Sequence, residues 1–233
     1  MKILGLIPAR GGSKGVPKKN IKLLNDKPLI AYTIQSALES NQFTDLVVST
    51  DDHDIAQVAE KYGVKVPFIR PAELSTDNAK SIDVVLHALA YLENTGIIYD
   101  AVCLLQPTNP FRTVQLIKSC INLLKDKDFD AVVSVERVPA EYNPHWQFHQ
   151  DSSGCLKIIT GEKEIISRRQ DLPTTYKRDG SIYLTKVQII KEFNSFYGDK
   201  LGFVEIPEGQ INIDTMEDWI RAEEFIKNNH VRN

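Results

Sequence analysis

The stretch Ile3-Leu4-Gly5-Leu6-Ile7-Pro8-Ala9-Arg10-Gly11-Gly12-Ser13-Lys14-Gly15-Val16-Pro17-Lys18-Lys19-Asn20 decides how this chain folds. Ile3, Leu4, Leu6 and Ile7 form a short apolar run without polar alternation, the pattern of a strand buried on both faces of a parallel sheet. Pro8 removes a backbone donor, and Gly11, Gly12 and Gly15 permit backbone angles and close approaches that a side chain would block. The loop that follows the strand concentrates Arg10, Lys14, Lys18 and Lys19. Free amide donors, little side-chain bulk and local positive charge suit a polyphosphate. Position points the same way, because open α/β sheets bind ligands beyond the C-terminal ends of their strands. The loop matches neither GxxxxGK[ST] nor GxGxxG, so it belongs to neither of those phosphate-binding patterns.

Outward from this loop, strand-like and helix-like segments alternate. Pro28 stands near the first position of a helix carrying Leu29, Ile30, Ile34, Ala37 and Leu38. Leu46–Val48 reads as a second buried strand, after which Thr50 or Asp51 is positioned to cap a helix with Ile55, Val58 and Ala59. Gly63 ends that helix, and Val64–Ile69 reads as a third strand. A helix from Ser81 to Asn94, a strand from Tyr99 to Leu105, a helix capped by Thr113 and a strand from Phe129 to Val135 follow. This rhythm predicts an α/β fold with a doubly wound, mostly parallel sheet and right-handed crossovers, in a single domain spanning residues 1–233. Residues 137–178 break the rhythm with Pro139, Pro144, Pro173 and aromatic clusters. The segment is too long for a connecting loop and reads as an inserted arm, with a hairpin-like piece around Asp151–Gly154, that lids the site or packs on a second subunit. A strand at Ser181–Leu184, another at Phe203–Ile206 and a helix from Met216 to Asn228 complete the chain.

Composition limits the function classes. A chain of 233 residues, 42% hydrophobic and 25% charged, is ordinary for a globular protein and buries about 70–75% of its unfolded surface. No apolar run reaches membrane-spanning length, and the first residues lack the features of a secretory signal, so a cytoplasmic, membrane-free protein is expected. A net charge of −3 gives no overall basic field for nucleic acid; the cations are local and favour a small anionic ligand. Cys103, Cys120 and Cys155 are odd in number and form no CxxC, which argues against a disulfide framework or a structural zinc site. His145 and His149 lack a third ligand at metal spacing and read as packing within the arm.

The run PARGGSKGVPKKN resembles the signature loop of the acylneuraminate cytidylyltransferases, or CMP-sialic acid synthetases, within the nucleotide-sugar nucleotidylyltransferases. Four later stretches strengthen the resemblance, in order along the chain. They are Arg70–Leu74 with Ser81; Leu104–Arg112, similar to LLQPTSPLR; Arg168–Pro173 followed by Tyr176–Tyr183, similar to RRQD…P…Y…NGxxY; and Ile211–Trp219, similar to DIDTPEDL.

The resemblance implies transfer of CMP from CTP to the anomeric hydroxyl of a nonulosonic acid, with release of pyrophosphate. It assigns Ala9, Arg10, Gly12, Ser13, Lys14, Lys19, Asn20, Arg70 and Ser81 to the nucleotide, and Gln106, Arg169 and Tyr183 to the sugar. Arg10, Lys19 and Arg169 become the catalytic cations, and a guanidinium at Arg169 suits the sugar carboxylate. Asp214 and Asn212 become the ligands of Mg²⁺, an ion that takes one or two carboxylates plus phosphate oxygens. The resemblance also implies a homodimer through the 137–178 arm. Two positions depart from the pattern. Asn212 replaces an aspartate and brings no charge, and Asp179 replaces an asparagine with an anion. Both departures point away from N-acetylneuraminate towards legionaminate, pseudaminate or deaminated sialic acid. Two other readings are a relative using another nucleotide or sugar, and a non-catalytic nucleotide-binding homologue.

Overall fold

The computed structural model describes residues 1–207 and 210–230. The first part of the chain runs β1 (Ile3–Pro8), β2 (Leu23–Leu24), β3 (Lys27–Pro28), α1 (Leu29–Ser40), β4 (Asp45–Ser49), α2 (His53–Lys61), α3 (Ser81–Asn94) and β5 (Ala101–Leu104). The second part runs α4 (Val114–Asp126), β6 (Ala131–Arg137), β7 (Phe148–Gln150), β8 (Leu156–Ile158), β9 (Tyr176–Lys186), α5 (Val187–Phe193), β10 (Leu201–Ile206) and α6 (Met216–His230).

The apolar N-terminal run forms β1, which pairs in parallel with β4 on one side and β5 on the other. Its alternate side chains supply two separate cores, as a strand buried on both faces must. Ile3 and Ile7 pack beneath α1, α2 and α4, and Leu4 and Leu6 pack with residues of α3 and α5. The six-stranded sheet has the order β10-β6-β9-β5-β1-β4. After β4 the chain crosses to the opposite side of β1 to lay down β5, so strand order reverses at the end of β1. That reversal opens a crevice directly beneath the glycine-rich loop.

The mainly parallel α/β architecture agrees with the sequence pattern, with four local differences. First, β9 runs antiparallel to β5 and β6 and extends from 176 to 186; a buried apolar run carries no mark of its direction. Second, residues 64–69 form only isolated bridges, Val47 with Lys65 and Thr50 with Ile69, because Pro67 interrupts the ladder. Third, α2 is capped by Asp52, whose Oδ1 accepts from the amides of Asp54 and Ile55 at 2.8 and 3.1 Å, rather than by Thr50 or Asp51. Fourth, Pro28 is the residue before α1, outside its first turn. Thr113 does cap α4, accepting from the Leu116 amide at 3.1 Å.

Within the arm, β7 and β8 form an antiparallel hairpin whose turn passes through Gly154 at φ +84°. The arm closes on itself through Val138 N–H to Thr175 O at 2.9 Å and Asn143 Nδ2 to Pro173 O at 3.0 Å.

Replacing the α2 cap is expected to be measurable. Asp52→Ala removes the acceptor of two first-turn amides and should lower unfolding free energy by about 1 kcal/mol in urea titrations. An unchanged midpoint would mean that water serves those amides as well as the carboxylate does.

Candidate active site

The loop after β1 is built from its own polar atoms. Ser13 Oγ donates to Val16 O at 2.6 Å and accepts from the Lys19 amide at 3.0 Å. Asn20 Nδ2 donates to Arg10 O at 2.9 Å. Two glycines are required by close approach. A Cβ on Gly11 would lie 2.5 Å from Asp52 Oδ2, and one on Gly15 would lie 2.0 Å from the carbonyl oxygen of Asp214. Val16 anchors the loop in a third apolar cluster with Leu24, Leu29, Ile213, Trp219, Ala222 and Ile226.

Beneath the loop lies a cavity of about 430 Å³, within the range that holds a small ligand. Arg10, Ser13, Lys14, Lys19, Asn20, Arg70, Ser81, Gln106 and Asp214 all line it. The structure therefore gathers most of the residues singled out in the sequence, from five separate stretches. Ala9 is buried in the core and offers only backbone there, its amide donating to Ser49 O at 2.9 Å. Gly12 is exposed on the loop, with nothing within 4 Å of an added Cβ.

Three assigned residues are not among those lining this cavity. Arg169 lies on the arm beside a separate cavity of about 340 Å³, with Arg137, Asn143 and Thr174, and does not line the first. Tyr183 is 4% exposed in the core between β5 and β6, its hydroxyl accepts from Arg178 at 2.8 Å, and its ring packs beside those of Phe196 and Tyr197. Asn212 turns its amide oxygen towards Asn109 Nδ2 at 3.3 Å and donates from Nδ2 to Asp214 Oδ2 at 2.5 Å.

The cavity's charges are arranged in pairs. Lys19 Nζ donates to Ile213 O at 2.8 Å and to Asp214 Oδ1 at 3.2 Å. On the other side, Arg10 meets Asp77 Oδ1 at 2.7 Å, and Lys14 also pairs with Asp77. Hydrogen bonds from Lys14 and then Arg10 hold the Asp77 carboxyl below its ordinary pKa. Burial lowers the pKa of Arg70, an effect that the Asp51 carboxylate, 3.6 Å away, opposes.

Sequence reasoning missed three contributors. Asp51, released from capping duty, accepts from the Gly11 amide at 3.0 Å and so ties loop to Arg70. Asp77 carried no signal beyond its place in a polar stretch. Arg112 is 4% exposed and spreads its guanidinium over Ser181 O (2.7 Å), Thr33 Oγ1 (3.2 Å) and Gln106 O (2.9 Å), fixing the turn that presents Gln106. Burial pulls its pKa down to about 10, which leaves it charged at neutral pH.

A divalent cation can be tested against these residues. Among the described residues no three His, Cys, Asp or Glu side chains cluster as a metal site. Asp214 presents a carboxylate to the cavity with its side chain 61% exposed. One protein carboxylate suffices for an ion such as Mg²⁺ that draws its other ligands from substrate phosphates and water. The residues fit such an ion and do not form a closed cage.

Residues 4–228 match the family model described as Cytidylyltransferase. The chain is 39% identical over 233 residues to the CMP-N,N'-diacetyllegionaminic acid synthase of Legionella pneumophila, covering 98% of each. It is 35% identical over 231 residues to a pseudaminic acid cytidylyltransferase of Campylobacter jejuni, covering 99% of this chain and 98% of that one. With the N-acylneuraminate cytidylyltransferase of Escherichia coli it shares 33% identity over 220 residues, 94% of this chain and 50% of that one. Among solved structures, CMP:2-keto-3-deoxy-manno-octonic acid synthetase complexed with CTP superposes with a TM-score of 0.75 at 16% identity, covering 98% of this chain and 100% of that one. The 4-diphosphocytidyl-2C-methyl-D-erythritol synthase of Anaerococcus prevotii gives 0.64 at 13%, covering 97% and 98%. These two likenesses speak to the fold.

The Asp77 pairs make a prediction about anion binding. Asp77→Asn frees Arg10 and Lys14, so inorganic pyrophosphate, followed by calorimetry, should bind several-fold more tightly at low salt, with the gain shrinking as salt rises. Unchanged or weaker binding would mean that Asp77 does not compete for these cations.

Proposed function

This chain belongs to the cytidylyltransferase family, and from that premise we propose that it transfers CMP from CTP to the anomeric hydroxyl of a nonulosonic, sialic-acid-like sugar. The sugar hydroxyl gives up its proton to solvent as its oxygen forms a new bond to the α-phosphorus, the bond from that phosphorus to the bridging oxygen breaks, and pyrophosphate leaves with the electron pair. The observation that carries the reading is the meeting of Lys19 with Asp214 on the wall of a cavity whose other side holds Arg10 and Lys14.

The chemistry needs little more than positioning and charge stabilisation. Arg10, Lys14 and Lys19 neutralise the triphosphate, the two former exchanging Asp77 for phosphate oxygens. Asn20, Arg70 and Ser81 hold the nucleoside end, and Gln106 orients the sugar from the turn that Arg112 fixes. Asp214 holds Mg²⁺, which when bound offsets charge on the phosphate oxygens. The nucleotide and the sugar meet in one domain spanning the chain, in the cytoplasm.

Full-length similarity to proteins named for legionaminic and pseudaminic acids supports a bacterial nonulosonic acid as the sugar. The arm supports pairing of two copies, because Tyr142, Phe148, Leu156, Ile159 and Ile165 leave 46–65% of their surfaces exposed on it. In such a homodimer Arg169, which does not line its own chain's cavity, serves the sugar carboxylate in the partner's.

Purified protein given CTP, Mg²⁺ and a panel of nonulosonic acids should release pyrophosphate, and UTP or GTP should not replace CTP. Asp214→Ala should lower kcat on the order of 10²–10³-fold with unchanged circular dichroism. Pyrophosphate release with none of the sugars, or full activity of the variant, would contradict the assignment.

A further inference from the structure

Asp214 enters the cavity with both carboxylate oxygens already engaged. Oδ1 receives Lys19 Nζ at 3.2 Å and Oδ2 receives Asn212 Nδ2 at 2.5 Å. An ionised carboxylate has about four acceptor positions, so room remains for a cation, but the plane of the group is set by these two donors. What sets Asn212 is found on its far side. Asn109, only 3% exposed, directs Nδ2 at Asn212 Oδ1 across 3.3 Å, with Thr108 Oγ1 a longer second acceptor at 3.4 Å.

Asn109 itself has little freedom. Its backbone N–H donates to Gln106 O at 3.3 Å, in the turn whose Gln106 carbonyl is also gripped by Arg112. The same turn clips the backbone beside Asp214, with Ile213 N–H donating to Thr108 O at 2.8 Å. An amide between a fixed donor and a carboxylate has one orientation that satisfies both neighbours, with oxygen towards the donor and nitrogen towards the anion. Asn212 has that orientation.

We infer that Asn109 and Asn212 are positioning residues: a two-amide relay that runs from the turn after β5 and aims Asp214, with Asn212 contributing no metal ligand of its own. This deepens the proposed function and rests on Asp214 being the metal carboxylate. The relay gives residue 212 a purpose as a neutral amide. An aspartate there would set two anions against each other until a cation arrived, whereas the amide holds Asp214 in place beforehand. It also joins the strand-end turn that carries Gln106 to the carboxylate that faces the phosphates, so both halves of the site share one rigid piece.

The test is a titration of the full-length protein with Mn²⁺, read by electron paramagnetic resonance, with and without CTP and in the absence of sugar. Asn109→Asp keeps the size but replaces the donor by an acceptor, which turns the Asn212 amide and sets its oxygen against Asp214. Asn109→Ser puts a shorter hydroxyl in place of the amide, withdrawing the donor from the reach of Asn212 Oδ1 without adding charge, and guards against reading that added charge as relay failure. Asn109→Asp, Asn109→Ser and Asn212→Ala should each weaken CTP-dependent Mn²⁺ binding on the order of tenfold, as loss of a partner behind a metal ligand does. The double variant Asn109→Ser with Asn212→Ala should bind no more weakly than Asn212→Ala alone, because both act through one carboxylate. Thermal midpoints establish that each variant is folded.

Wild-type affinity in both Asn109 variants, with weakening only in Asn212→Ala, would overturn the relay and make Asn212 a ligand. Additive losses, or no loss in any of the three, would overturn it as well. Failure of the underlying reading shows separately, as Mn²⁺ binding that Asp214→Ala leaves unchanged.

Discussion

The closure of the glycine-rich loop onto the segment before α6 is the constraint on which the site depends. Lys19 and Ile213 are 194 residues apart in sequence and 2.8 Å apart in the fold. The Lys19–Asp214 pair alone cannot hold such a closure, since exposed ion pairs contribute about 0–1 kcal/mol. Apolar burial decides it. Val16, Ile213 and Trp219 share one cluster and are 0–2% exposed, and each fully buried side chain of this kind contributes about 1.5–3 kcal/mol. Gly15 then lets the loop backbone lie against the Asp214 carbonyl. The charged groups are thus placed by a hydrophobic joint next to them, and the ion pair is free to change partners during a reaction.

Electrostatically, the cavity is a set of cations given temporary counter-ions. Asp77 neutralises Arg10 and Lys14, Asp214 meets Lys19, and Asp51 stands behind Arg70. Each guanidinium or ammonium is therefore held near the place where a phosphate oxygen would be useful without being left unpaired. A polyphosphate entering such a site would trade carboxylates for phosphates, with little movement of cations that are already gathered.

Much of this was legible in the sequence. The buried strand, the cationic loop and the alternation of strands and helices were plain from residue type and period, and the acidic residue at 214 followed from a segment resembling a known family. Direction and partnership were not. The apolar residues of β9 read alike in either direction, and nothing in the motif around Tyr183 tells that its ring is buried in the core. Thr50, Asp51 and Asp52 are all capping types, and only the backbone decides that Asp52 caps while Asp51 holds the loop. Pro67 marked the failure of the strand at 64–69 and was outweighed by the valines around it. Asp77 and Arg112 act through contacts 67 and 69 residues away in sequence, Arg10 for the former and Ser181 for the latter, and no local pattern announces such a partner. Arg169 matched a motif, but the motif does not reveal that the arm sets this residue beside a separate cavity.

The most direct measurement is a crystal structure of the protein with CTP and Mg²⁺. The triphosphate should lie between Arg10 and Lys14 on one side and Lys19 on the other, with Asp77 displaced from both cations and the Asp214 carboxylate facing the metal. A nucleotide seated outside this cavity, or a triphosphate that leaves the Asp77 pairs intact and Lys19 untouched, would contradict it.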